Sequence, residues 1–280
     1  MLLFFLAVMA FGVAVGGVTA DARECGGAAL LTWKPAAGGR HVLSMVTLSS
    51  GHRSQVATLP FEINAIGYSN GDDTLFGLAS GDANGRFADP PHLVSVDGDG
   101  RADDLGAVRG TGVRGDGLAG SYAGTVYNGQ LAVLSDTHVV FIDIDRHPGT
   151  ITRRTTMDVP LKTLRIGDVT TLPHSSKLYG LSTTDGSLVS IDPATGAIGH
   201  TPVAGLPRSS LVGAMFASPR GEIFGVVNGV DGRARLYRVS RDDSRAGMRA
   251  VQVADWPELT SADAAFCAAP TPHPRPSPGS

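Results

Sequence analysis

Apolar positions recur along this chain in short strand-like runs, and four of those runs are variants of one phrase. They are Thr74-Leu-Phe-Gly-Leu, Gln130-Leu-Ala-Val-Leu, Lys177-Leu-Tyr-Gly-Leu and Glu222-Ile-Phe-Gly-Val. Each is followed by a second apolar run: His92-Leu-Val-Ser-Val-Asp, His138-Val-Val-Phe-Ile-Asp, Ser187-Leu-Val-Ser-Ile-Asp and Arg235-Leu-Tyr-Arg-Val-Ser. The unit repeats at roughly 45 to 55 residues, the period of a propeller blade. Ahead of each phrase stands a small-residue strand: Ile63-Asn-Ala-Ile-Gly-Tyr, Ala123-Gly-Thr-Val-Tyr, Gly167-Asp-Val-Thr-Thr and Val212-Gly-Ala-Met-Phe-Ala. A more polar run closes each unit, so every unit predicts four strands. Asn70-Gly71, Asn128-Gly129 and Asp185-Gly186 fall between apolar runs, where such pairs supply the positive φ of a two-residue hairpin turn. Helix is expected to be scarce, because no long segment beyond the N-terminus has 3.6-residue periodicity.

Four complete units run from about Ile63 to Leu259 and leave fragments at both ends. Ala262-Asp-Ala-Ala-Phe-Cys267 matches a first strand. Ala28-Ala-Leu-Leu-Thr-Trp33, His41-Val-Leu-Ser-Met-Val and Gln55-Val-Ala-Thr-Leu match the second, third and fourth. Together they predict a fifth blade built from both termini. The expected fold is therefore all-β, a five-bladed β-propeller of four-stranded blades whose ring is closed by N- and C-terminal strands in one blade. Closure of that kind removes exposed sheet edges.

Residues 1–18 are an apolar run, and the small residues Val18 and Ala20 suit signal-peptidase cleavage after Ala20. No Lys or Arg precedes the run, which leaves an uncleaved anchor as the alternative. The expected organisation is a signal peptide over 1–20, a propeller domain over 21–267 and a disordered Pro-rich tail over 268–280, in a secreted or extracellular monomer with no membrane span after cleavage. An even count of two cysteines in an exported chain predicts a Cys25–Cys267 disulfide. Charged residues are 18% and the net charge is −3, so no cationic field exists to hold a polyanion, and nucleic acid is excluded as a partner. Trp33 and Trp256 are expected to pack between blades.

Ile63-Asn-Ala-Ile-Gly-Tyr, Lys177-Leu-Tyr-Gly-Leu, Leu188-Val-Ser-Ile-Asp-Pro-Ala-Thr-Gly196 and Asp263-Ala-Ala-Phe-Cys267 resemble an uncharacterised secreted β-propeller domain common in bacterial surface proteins. The resemblance covers Cys25 to Cys267. It implies the fold and export, and it brings no established activity. Members often carry an acidic residue after the Ala-Gly of the middle blade, where this chain has Thr125.

Asn64, Asp168 and Asp263 occupy one place in three first strands, with Gly213 and Gly124 or Thr125 in the others. First strands line a propeller's channel, so these three are the candidate ligand-binding residues at its mouth, with backbone capping as the structural alternative. Ser95-Val-Asp97-Gly-Asp99-Gly100-Arg-Ala-Asp103 resembles a calcium loop, making Asp97, Asp99 and Asp103 candidate metal ligands against an ordinary Asp-Gly hairpin. His41, His92 and His138 share a repeat position on third strands, too far apart for a common zinc ion. No Gly-x-Ser-x-Gly elbow, Walker loop or dinucleotide fingerprint occurs. The function expected is a binding or surface-interaction module for an extracellular glycan or protein, with no catalytic residues and no catalytic activity assigned, and no cofactor other than Ca2+ in that loop. The alternative is a channel-mouth hydrolase, with carbohydrate as a candidate substrate, using Asp168 and Asp263 as acid and base.

Overall fold

The computed structural model describes residues 27–35, 39–82, 90–110, 118, 123–208, 211–242 and 247–267. The expected signal peptide, Cys25 and the Pro-rich tail lie outside them. The chain is all-β. It opens with β1 (Ala29–Pro35), β2 (Val42–Val46) and β3 (Arg53–Thr58). Next come β4 (Phe61–Ser69), β5 (Thr74–Asp82), β6 (His92–Val96) and β7 (Ala102–Ala107). A third group is β8 (Ala123–Tyr127), β9 (Gln130–Leu134), β10 (His138–Asp143) and β11 (Ile151–Thr156). A four-residue helix, α1 (Leu161–Leu164), leads into β12 (Ile166–Thr171), β13 (Leu178–Ser182), β14 (Ser187–Ile191) and β15 (Ile198–Ala204). The last group is β16 (Leu211–Ala217), β17 (Ile223–Val230), β18 (Arg233–Asp242) and β19 (Gly247–Pro257), followed by β20 (Leu259–Phe266). Among the described residues no helix is long and apolar enough to cross a membrane.

Each group is an antiparallel meander, and β20 pairs with β1 to give a four-stranded sheet of order β20-β1-β2-β3. Chain ends therefore share one sheet, as the terminal fragments predict. A parallel contact of Val203 with Met248 and Ala204 with Arg249 joins the outer strands β15 and β19 of two neighbouring groups. The first strands gather side by side in the contacts β4–β8, β8–β12, β12–β16, β16–β20 and β20–β4, a propeller-like arrangement. Hydrophobic clusters fill the spaces between neighbouring sheets, for example Phe216 stacked on Phe224 with ring centroids 5.0 Å apart, against Leu31 and Val46 of the terminal sheet. Second and third strands are covered on both faces, which is why they read as continuous apolar runs.

The small residues of the first strands have a steric cause. A Cβ on Gly124 would stand 2.5 Å from the Ala65 carbonyl oxygen, and one on Gly167 would stand 1.9 Å from that of Val212. Both collisions are with the backbone of the next first strand, so adjacent strands approach to a distance that only glycine allows.

Turn chemistry is partly as expected. Asn128-Gly129 forms a two-residue turn with φ of 50° and 73° between paired Tyr127 and Gln130. Asp231-Gly232 does the same at 52° and 71° between Val230 and Arg233. The Asn70-Gly71 pair does not: four residues, 70–73, separate Ser69 from Thr74, and the positive φ of 53° falls on Asp73. Ser69 Oγ donates to Asp72 at 2.6 Å and the Tyr68 hydroxyl donates to Asp73, which holds the longer turn. Asp185-Gly186 likewise sits in a four-residue turn, 183–186, with positive φ at Gly186 alone.

Trp33 and Trp256 do pack between sheets. The Arg53 guanidinium lies 4.6 Å from the centroid of each ring, sandwiched between them. Trp33 Nε1 donates to Ser44 Oγ and Trp256 Nε1 donates to the Gly51 carbonyl, both at 3.0 Å.

Candidate functional site

Register fixes which positions of the first strands correspond. Val169 and Met215 pair with the glycines of the repeated phrase, Gly180 and Gly225, so Asp168 and Ala214 precede equivalent residues. On β20, Ala264 pairs with Leu31, which holds the place of that glycine on β1. Asp263 is therefore the counterpart of Asp168, with Ala65 and Ala123 filling the place on β4 and β8. Asn64 does not belong to this set. It stands one residue earlier, as the counterpart of Gly167: Ile63 and Ile166 pair with equivalent residues, Ala79 and Ser182, and β4 and β12 carry the same one-residue bulge after them.

The structure brings Asp168 and Asp263 together and seals them. Their exposures are 0% and 1%, so they lie within the axis rather than at its mouth. Asp168 Oδ1 accepts the Val169 N–H at 2.7 Å, and its Oδ2 accepts the Met215 N–H at 2.5 Å from β16. Asp263 Oδ2 accepts the Ile66 N–H at 3.1 Å from β4. Ala65, with φ of 54°, turns that amide toward the acid. Asp263 Oδ1 is buried without a hydrogen-bond donor. The Asp168 carboxyl interacts with Asp263 and can donate a hydrogen bond to it only when protonated.

Burial, then the facing Asp263 charge, raises the Asp168 carboxyl well above the ordinary range, against the N–H groups of Met215 and Val169. Burial likewise pushes Asp263 up to about 7, opposed by the Ile66 N–H, the hydrogen bond from Asp168 and the N–H groups of Ala264 and Ala65. An acid–base pair for hydrolysis needs a cleft open to substrate, and these two acids have none. The hydrolase alternative is not favoured on this ground.

Open space lies at the two ends of the first strands. At their C-terminal ends is a cavity of about 660 Å³, lined by Tyr68, Thr125, Thr170 and Phe266, with Asp72 and Asp145 also in its wall. No Lys, Arg or His is among the described residues that line it. Thr125 is 9% exposed. A second cavity, of about 680 Å³, lies at the N-terminal ends and holds Asn64 beside Lys162 and Arg165 of the α1 region. Sequence reasoning missed Tyr68, Asp72, Asp145 and Thr170. Their shared signal is position, at the end of a first strand or in a turn between strands.

The remaining candidates have local partners. Asp97 Oδ1 accepts the N–H groups of Asp99 at 3.0 Å and Arg101 at 2.9 Å, an Asx turn, and Asp103 lies 3.5 Å from the Arg101 guanidinium. No group of three or more His, Cys, Asp or Glu that could hold a metal ion occurs among the described residues. His41 is buried, which lowers its pKa, and its Nδ1 accepts the Ile63 N–H at 3.4 Å. His92 bonds to Asp104 at 2.9 Å and His138 to Thr137 at 2.8 Å.

Residues 44–269 match the family described as a repeat of unknown function (DUF6923), and the chain belongs to that family. No curated protein matches its sequence. Among solved structures, the chain is similar to one in a nidogen/laminin complex at 10% identity and a TM-score of 0.48, covering 87% of this chain and 100% of that one. It is also similar to glutaminyl cyclase of Myxococcus xanthus, at 15% identity, a TM-score of 0.46 and coverage of 80% and 88%. TolB of Acinetobacter baumannii aligns at 13% identity and a TM-score of 0.44, over 86% of this chain and 67% of that one.

Proposed function

We propose that this chain is a secreted five-bladed β-propeller, its ring closed through the β20–β1 pairing, that serves as a binding module for a neutral glycan at the cavity formed by the C-terminal ends of its first strands. One contrast carries the proposal. The paired acids are sealed from solvent, whereas the open cavity is lined by Thr125 and Thr170, 9% and 7% exposed, and by Tyr68 and Phe266. Hydroxyls, carboxylates and aromatic faces suit a polyhydroxylated ligand, and the lack of a lining cation disfavours phosphate, sulfate or carboxylate ligands.

Five blades and closure are supported by the sequence of contacts between first strands, in which β20 touches both β16 and β4. Export is supported by the apolar residues 1–18 and by the two cysteines. The Cys267 N–H donates to the Ala28 carbonyl at 3.2 Å, so Cys267 stands beside the segment that leads back to Cys25, and the proposed disulfide joins the chain ends. The test is a glycan-array screen of purified residues 21–280, native and Thr125→Tyr, since a bulky ring at Thr125 fills the cavity. Binding to native protein alone supports the proposal. Binding that persists in Thr125→Tyr, or that moves to protein ligands only, contradicts it.

A further inference from the structure

The five first strands contain three charged residues in all, Glu62, Asp168 and Asp263. Glu62 is half-exposed and paired with Lys34 of β1 at 2.5 Å. Among the elements packed against the two buried acids, β8, β13 and β16 bring no charged residue, β1 brings Lys34 and β4 brings Glu62, which neutralise each other. Among the described residues of these elements, no unpaired cation therefore faces Asp168 or Asp263. Two adjacent carboxylates without a countercharge cannot both remain ionised in a buried site. The unmatched Oδ1 of Asp263 marks where the compensating hydrogen belongs. We propose that Asp168 and Asp263 share a proton inside the axis, donated from Asp168 to Asp263 Oδ1, and that this proton is a pH-sensitive lock on the seam between β20 and β4.

The seam is singled out by bonding. Asp263 projects from β20, the strand contributed by the C-terminus, and its other oxygen holds the Ile66 N–H of β4. Removing the shared proton leaves two facing charges and pushes Asp263 away from that amide. Of the two bonds that reach a neighbouring first strand, that of Asp263 to Ile66, at 3.1 Å, is longer than that of Asp168 to Met215, at 2.5 Å, so the strain falls on the Asp263 side. Both carboxyls are raised, Asp263 to about 7. The stability they contribute is complete below the ordinary value of 3.8, falls as pH rises through about 7, and continues to fall as Asp168 ionises above that. The inference does not depend on which ligand the cavity takes.

Two measurements on the purified chain test it. Infrared spectroscopy of the native protein is expected to show a protonated carboxylic-acid band at about pH 6 that weakens on titration toward about pH 9, where ordinary aspartates are long ionised. Amide exchange at Ile66, corrected for intrinsic rate, is expected to accelerate by about tenfold or more over the same range, the change that one pKa unit represents. In Asp263→Asn the pH step at Ile66 is expected to vanish, and Glu62→Gln is expected to retain it. Absence of the acid band in native protein at about pH 6 overturns the proposal. So does a band that titrates with no step at Ile66, or a step abolished by added Na+ or Ca2+, which assigns the pair to a cation. Should Asp263→Asn not fold, the native band and exchange profile decide alone.

Discussion

The carboxylate of Asp168 accepts the backbone N–H of Met215 at 2.5 Å, across 47 positions of sequence and from one first strand to the next. Asp263 repeats the contact with Ile66, 197 positions away. Ile66 lies within the bulge of β4 and outside its ladder register, Met215 lies just past the bulge of β16, and each acid ties its strand to a neighbouring sheet.

These two acids differ in how they tolerate amide replacement. Both oxygens of Asp168 accept N–H groups, so Asp168→Asn turns an NH2 toward one of them and is expected to cost about 1–3 kcal/mol in urea unfolding near pH 6. Asp263→Asn can keep its bond to Ile66 and offer an N–H to Asp168, and is expected to cost less. Equal losses in the two variants would contradict the assignment of partners.

Close approach of the first strands makes a second prediction. Gly167→Ala drives a Cβ into the Val212 carbonyl and is expected to cost about 3 kcal/mol or to prevent folding. Gly71→Ala meets nothing within 4 Å and has no positive φ, so its unfolding midpoint is expected to match native protein within about 0.5 kcal/mol.

Arg53 is held by two indole faces rather than by a carboxylate. Arg53→Ala is expected to lose about 1–2 kcal/mol and to shift the emission of Trp33 and Trp256, and the loss should change little with added salt. A strongly salt-dependent loss would point to an ion pair instead.

Cys267 is buried at the end of β20, and the proposed bond to Cys25 predicts that non-reducing peptide mapping finds the two in one cross-linked species. Cys267→Ser is then expected to cost about 2–5 kcal/mol in exported protein. Two alkylatable thiols in that material would contradict the pairing.

Much of the architecture was legible because its cause is local. The Leu-Phe-Gly-Leu phrase and its successor are buried on both faces, and covered strands leave uninterrupted apolar runs. The pairing of β20 with β1 was legible because the terminal fragments complete one unit. What escaped was register. Asn64 looks equivalent to Asp168 in spacing, yet Ile63 pairs as Ile166 does, so Asn64 is the counterpart of Gly167 and lines the other cavity. Burial of the acids was equally hidden, because nothing in Gly167-Asp168 or Ala262-Asp263 distinguishes a sealed axis from an open mouth. Turn length at residues 70–73 depended on side chains, Ser69 with Asp72 and Tyr68 with Asp73, that the Asn-Gly pair does not announce.

The central claim is that ligand is held at the hydroxyl-lined cavity while the acids below it serve structure. It is tested most directly by glycan-array binding of native protein, Thr125→Tyr and Asp263→Asn side by side, each first checked for a cooperative melt. The account predicts that glycans retained by native protein are also retained by Asp263→Asn and lost by Thr125→Tyr. Retention by Thr125→Tyr with loss in a folded Asp263→Asn protein would contradict it, and would return the function to the axis.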